Sequence, residues 1–269
     1  MGSRRITRRF YPDNQGFEQI NPSAQRGEFM AERFFLSQPL ADEKTAVLEE
    51  DQAHHLIRVM RAKPGDSVVL FDGCGTEYEA KVDEVSKKRV SLRIESQTQV
   101  DDPNQPAIIV ACALPKGDRQ KFLIEKLVEL GANRLVPLKT SRSVAEANEK
   151  VIARLQKQVI EASKQCRRNW LMEVSPQATI DSLMTEFETF SGSRLLADPY
   201  ASRHDLLLQD EPCVISIGPE GGFSHDETER FEEHGWKKVC FSPNVLRIET
   251  AAAAAVAISR QAKFKKSIS

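Results

Sequence analysis

Ile217-Gly218-Pro219-Glu220-Gly221-Gly222-Phe223-Ser224 decides how this chain is read. It leaves the apolar run 213–217, which has the length and content of a buried strand, and enters a helical pattern at His225. Ser224 stands at the N-cap with Glu227 three residues on, a capping box. A strand, a glycine-rich turn and a helix form the junction at which open α/β sheets hold ligands, at the carboxyl ends of their strands. The spacing is neither G-x-G-x-x-G nor a Walker A loop, and Glu220 would set a carboxylate where a phosphate should lie. A phosphate cradle is therefore disfavoured, and a ligand carrying amino, sulfonium or hydroxyl groups suits the turn better. The bland alternative is a tight turn that needs its three glycines for conformation alone.

Working outward, Phe241-Ser242-Pro243-Asn244-Val245-Leu246-Arg247-Ile248-Glu249-Thr250-Ala251 repeats the order of strand, loop and helix start. Arg247 and Glu249 flank this second turn, where charges commonly serve as surface pairs or cap contacts. Upstream, strands are expected at 107–114, 134–138, 171–174, 194–197, 213–217 and 238–241. Helices are expected at 118–130 closed by Gly131, 149–166, 180–190, 225–234 closed by Gly235, and from Glu249 onward. That alternation predicts a mostly parallel sheet with helices on both faces.

Residues 32–98 read differently. Short runs at 33–36, 68–71, 78–85 and 90–94, the last two alternating with period two, predict a small antiparallel β-barrel. One helix interrupts it, with Ala53, Leu56, Ile57 and Met60 at i, i+3, i+4 and i+7, which leaves Arg58 and Arg61 facing water or RNA. Residues 99–106 carry two prolines and paired acids, so the spacing predicts an extended, solvated linker ahead of a second domain at 107–266. Residues 1–31 hold Arg4, Arg5, Arg8 and Arg9 without hydrophobic periodicity and read as a mobile arm. The alternative is translation from Met30 with the arm dispensable.

Composition bounds the function. The chain has 269 residues, 40% hydrophobic and 29% charged, with no apolar run long enough for a membrane span. A formal charge of -1 means that nucleic-acid binding would need a local patch. Five scattered cysteines without a C-x-x-C pair argue against a disulfide framework and a zinc ribbon, and point to a reducing cytoplasm. His54 and His55 are adjacent and diverge on a helix, so no metal site is expected.

Together these segments closely resemble the RsmE family, bacterial small-subunit (16S) ribosomal RNA uridine N3-methyltransferases of the SPOUT class. The likeness runs from Arg33-Phe34-Phe35 through Ala53-His54-His55-Leu56-Ile57-Arg58-Val59-Met60-Arg61, Leu114-Pro115-Lys116-Gly117-Asp118, Lys126-Leu127-Val128-Glu129-Leu130-Gly131 and Ser141-Arg142-Ser143. It ends in the two turns quoted above. It implies an N-terminal PUA-like RNA-binding domain, a C-terminal α/β SPOUT domain with a trefoil knot, and a homodimer whose S-adenosylmethionine site borders the partner subunit. It further implies that the methyl donor lies against Gly218, Pro219, Glu220, Gly221 and Gly222, against Leu196 and Ala197, and against Phe241, Ser242, Asn244, Val245 and Leu246, with Thr250 and Ala251 at the following helix start. Ser242 and Asn244 depart from the glycine and arginine frequent in the family at those positions.

Uracil N3 carries a proton with a pKa above neutrality, so its methylation requires deprotonation and stabilisation of charge on O2 and O4. Arg247 is the candidate for orienting the base, and Glu220 or Glu249 for accepting the proton. Arg58, Arg61, Lys116, Arg119, Arg142 and Arg168 are candidates for contact with ribosomal RNA, in the assembled 30S subunit as the resemblance has it. Two other classes compete: a non-catalytic RNA-binding assembly factor and a nucleotide-binding enzyme.

Overall fold

The computed structural model describes residues 32–37, 40, 44–201 and 211–264. The expected arm at 1–31 and the last residues of the expected second domain lie outside the described residues. Residues from Glu32 onward form one compact unit built on two sheets.

The first sheet comprises β1 (Arg33–Phe35), β2 (Thr45–Glu49), β3 (Ser67–Phe71), β4 (Thr76–Val85) and β5 (Arg89–Gln99) in the order β1-β3-β4-β5-β2. Alternation decides its buried face: Ala46 and Leu48, Ala80 and Val82, and Val90 and Leu92 meet Phe34, Ala53 and Leu56 in one core. The expected antiparallel pairing holds between β3 and β4, β4 and β5, and β2 and β5, with one departure. β1 pairs with β3 in parallel, and β1 and β2 end the strand order unpaired with each other, so the sheet is a half-barrel among the described residues. β2 had no sequence expectation because it holds only a short alternating pattern between polar residues.

The expected helix is also modified. α1 (Glu50–His54) passes into a π-helical turn, His55–Val59, with Met60 N donating to His55 O at 3.2 Å. The wider turn rotates the apolar stripe, so Ala53 and Leu56 are buried while Met60 is 45% exposed. Arg61 closes the turn at φ 53, and both Arg58 and Arg61 face solvent.

The second sheet is formed by β6 (Ile108–Cys112), β7 (Arg134–Lys139), β8 (Glu173–Val174), β10 (Ser193–Ala197), β11 (Cys213–Ile217) and β12 (Lys237–Val239), ordered β12-β10-β11-β6-β7-β8 with parallel pairings. β9 (Ala178–Thr179) pairs with β7. Successive residues of β6 serve opposite faces. Val110 and Cys112 pack under α2 (Arg119–Glu129), α3 (Glu149–Cys166) and α6 (Ile248–Phe264), through Leu123, Leu127, Leu155, Val159 and Val256. Ala111 packs with α4 (Ile180–Glu186) and α5 (His225–Glu233), through Ile180, Leu183 and Phe231. Burial on both faces is why these strands read as continuous apolar runs. Among the described residues no helix is long and apolar enough to cross a membrane.

The segment between the sheets is largely exposed, and side chains anchor it. Asp102 accepts from Asn104 N at 2.9 Å, Gln105 Nε2 at 2.9 Å and Asn133 Nδ2 at 3.3 Å, and Arg260 of α6 donates to Pro106 O at 3.2 Å. Beside it, Trp170 Nε1 donates to Val100 O at 2.8 Å and Leu171 N to Gly73 O at 3.0 Å, joining the second sheet's outer edge to the first sheet.

Candidate active site

The loops leaving β10, β11 and β12 surround a cleft of about 460 Å³ at the carboxyl end of the sheet. The loop after β11 is the glycine turn. Gly222, at φ +68, donates from its N to Pro219 O at 2.8 Å. At Gly218 a Cβ would stand 3.1 Å from both the backbone N and the ring of Phe223, so a side chain at this close return of the chain would require Phe223 to give by a few tenths of an ångström.

The turn is fastened from two neighbouring elements. Ser224 caps α5 as expected: Glu227 N donates to Ser224 Oγ at 3.2 Å and Ser224 N to Glu227 Oε2 at 2.8 Å. The other oxygen of Glu227 accepts from Ser141 N at 2.7 Å, on the loop after β7. Burial opposes ionisation of Glu227, and the N–H donors of Ser141 and Ser224 outweigh it, holding the carboxyl below its ordinary value. Arg142 Nη1 donates to Gly221 O at 2.6 Å. From the other side, Arg119 Nη2 stands 2.9 Å from Glu220 Oε1 and Arg119 Nη1 stands 4.0 Å from Glu249 Oε2.

Of the expected donor-site residues, Leu196, Ala197, Gly218, Pro219, Glu220, Gly221, Gly222, Phe241, Ser242, Asn244, Val245, Leu246 and Ala251 line this cleft, while Thr250 points to solvent outside it. Of the proposed catalytic groups, Glu220 lines the cleft. Arg247 is exposed at its edge, where its carbonyl accepts from Ala251 N at 2.8 Å and opens α6. Glu249 is buried behind the wall. Asp198, Pro199, Tyr200, Thr228 and Cys240 also line the cleft without having been singled out. The position of residues 198–200 directly after β10 was the available signal, since every strand of a parallel sheet delivers its next loop to the same edge.

The arginines expected to contact RNA divide. Arg58, Arg61 and Lys116 are exposed. Arg119 faces two carboxylates, and Arg142 donates through Nη1 to a carbonyl of the glycine turn while remaining exposed. Arg168 corrects the expectation outright. It is buried, donates to Val128 O at 3.2 Å, and burial pushes its pKa down to about 10. It braces the end of α2 and has no surface for RNA.

Residues 102–260 match the family described as RNA methyltransferase domain. The chain belongs to the RNA methyltransferase family. Residues 48–95 of the methyltransferase match a second description, RNA methyltransferase PUA domain, on the first sheet and its π-helical turn. The methyltransferase is 27% identical over 236 residues to the Ribosomal RNA small subunit methyltransferase E of Bacillus subtilis, covering 82% of this chain and 92% of that protein. Among solved structures it resembles a methyltransferase from Legionella pneumophila in complex with S-adenosylmethionine, at TM-score 0.78 and 28% identity, covering 87% of this chain and 98% of that one. It also resembles a Ribosomal RNA small subunit methyltransferase E from Neisseria gonorrhoeae bound to S-adenosylmethionine, at TM-score 0.77 and 28% identity, covering 86% and 97%.

Proposed function

We propose that this methyltransferase transfers a methyl group from S-adenosylmethionine to N3 of a uridine in small-subunit (16S) ribosomal RNA. The observation that carries the reading is the cleft, which joins a backbone-lined glycine turn to apolar walls and carboxylates. Leu196, Ile217, Val239, Phe241, Leu246 and Ile248 offer an apolar surface suited to an adenine ring, and the exposed backbone of residues 218–222 offers hydrogen bonds. Asp198 and Glu220 bring negative charge suited to an ammonium and a sulfonium, and hostile to phosphate. The residues present therefore fit the donor, whose bound sulfonium supplies an electrophilic methyl group.

Each residue's part follows from its place. Arg247, at the cleft edge, presents a planar fork to a uracil carbonyl as negative charge develops there. Glu220, which lines the cleft and meets Arg119 through Oε1, accepts the N3 proton. Glu249, behind the wall, does not reach the base. Arg58 and Arg61, on the exposed end of the π-helical turn, contact RNA phosphate, with Lys116 nearer the cleft. The reading includes a homodimer acting in the cytoplasm on the assembled 30S subunit, and a trefoil knot in the C-terminal domain, as the resemblance implies.

Mass spectrometry of ribosomal RNA from cells lacking the protein tests the activity. A missing N3-methyluridine restored by the gene is expected, and an unchanged modification pattern would refute it. Calorimetry with S-adenosylmethionine separates this reading from a non-catalytic assembly factor, which would bind no donor. Arg58→Ala with Arg61→Ala should weaken RNA binding and reduce its salt slope while leaving donor affinity unchanged.

A further inference from the structure

We propose that Arg119 is a positioning residue for methyl transfer, a single guanidinium that sets the two ligand-bearing walls of the cleft against each other. The inference rests on the reading of the cleft as the methyl-donor site.

Its placement comes from sheet order. β6 lies next to β11, so the first turn of α2, which follows β6, begins beside the glycine turn that follows β11. From there Arg119 faces two carboxylates of different character. Glu220 belongs to the cleft wall and its side chain is 38% exposed, with Arg119 Nη2 at 2.9 Å. Glu249 has a side chain only 7% exposed, and its Oε2 is buried with no hydrogen-bond donor. A buried carboxylate oxygen without a donor depends on a nearby cation, and Arg119 Nη1 stands 4.0 Å from it.

The two acids sit on different walls. Glu220 lies between Pro219 and Gly221 in the glycine turn. Glu249 lies in the first turn of α6, two residues past Arg247, and Ile248 beside it and Ala251 just beyond line the cleft. An exposed ion pair within one element would add little. Here one partner is buried and the pair bridges two turns, so the guanidinium fixes where Glu220 and Arg247 stand relative to each other. A planar fork presents a separate nitrogen to each acid in fixed geometry, whereas an ammonium is a single point charge on a flexible stem. Misplacement of reacting groups by about 1 Å costs on the order of a hundredfold in rate, so a tie of this kind acts on the chemical step.

Three variants test the assignment: Arg119→Gln, Arg119→Lys, and Arg119→Gln combined with Glu249→Gln. Each is measured for thermal midpoint, for S-adenosylmethionine affinity by calorimetry, and for the donor-saturated single-turnover rate on small ribosomal subunits. Arg119→Gln should lower the midpoint and reduce the rate by on the order of tenfold or more. Arg119→Lys should recover part of the midpoint and little of the rate. The double variant, which no longer buries an unpaired charge, should recover the midpoint and leave the rate low, because Glu220 stays untied. A rate that recovers together with the midpoint would reduce Arg119 to a neutralising charge and overturn the proposal. So would an unchanged rate in Arg119→Gln with a shallower salt dependence of RNA binding, which would make it a phosphate contact. Wild-type protein that neither binds the donor nor transfers methyl would overturn the donor-site reading itself, an outcome distinct from an active wild type with an equally active Arg119→Gln.

Discussion

The two walls of the cleft are built on opposite principles. The glycine turn after β11 is fastened by Arg142 at Gly221 O, by Arg119 at Glu220, and by the Ser224–Glu227 cap that also reaches Ser141. The turn after β12 relies mainly on itself: Asn244 N donates to Ser242 Oγ at 3.1 Å, Cys240 Sγ lies 3.0 Å from Ser242 O, and Val245 is 71% exposed. One wall is pinned by neighbouring elements, and the other leaves Val245 exposed while Phe241 and Leu246 pack against the core. The contrast teaches that the pinned wall defines the shape of the cleft, while residues 242–246 of the freer wall, ahead of the Arg119-tied start of α6, are held by fewer partners.

Breaking the pinned wall should cost most. Gly218→Val would drive side-chain carbons into the backbone of Phe223, and donor affinity in calorimetry should fall by on the order of a hundredfold, about 2.7 kcal/mol. Undiminished affinity in a folded variant would mean that the glycine turn does not shape the cleft. Next comes the reactive end of the free wall. Arg247→Lys keeps the charge and loses the fork, so the single-turnover rate should drop by roughly tenfold with donor affinity nearly constant. Equal losses in both would place Arg247 in the donor pocket instead.

Glu227 sharpens the contrast through pH. Glu227→Ala should destabilise the fold by about 1–2 kcal/mol in chemical denaturation, the range for losing a helix cap. Because the native carboxyl is held below its ordinary value, its stabilisation is fully present above that value and is lost as pH falls toward the depressed one. Glu227→Gln should flatten this part of the acid-denaturation profile, and an unaltered profile would assign the stabilisation elsewhere. The smallest effect is expected on the free wall, where Val245→Ser should change stability by less than about 0.5 kcal/mol. A larger loss would show that the second turn is packed more firmly than its exposure indicates.

The pinned wall was also the more legible in sequence. The apolar run 213–217 coincides with β11, Ser224 and Glu227 form the capping box that their spacing predicts, and α3 spans the expected 149–166. Local rules suffice there, because strand burial, turn chemistry and capping act within a few residues. What the sequence did not disclose depends on distant partners. Arg119, Arg142 and Arg168 look alike as surface cations, and their fates are decided by Glu220, Gly221 and Val128, which no local pattern links to them. The anchoring of the linker was hidden for the same reason, since Asp102 finds Asn133 thirty-one residues on. The π-helical turn escaped because its residues fit an α-helical stripe equally well, and only backbone hydrogen bonding separates the two.

The seam at Trp170 has a consequence for substrate choice. A Cβ on Gly75 would stand 2.6 Å from the Trp170 ring, and Arg33 of the first sheet reaches Asn169, so the half-barrel and the parallel sheet are closely packed at this seam. A protein that keeps this seam closed acts on RNA as a caliper. An RNA that docks on the half-barrel has to deliver its target base to the cleft at one separation. A floppy strand would surrender much conformational entropy to do so, whereas RNA already folded to that spacing would surrender little. Selection between two identical nucleotides can then come from the architecture around them, with no base-specific contact required.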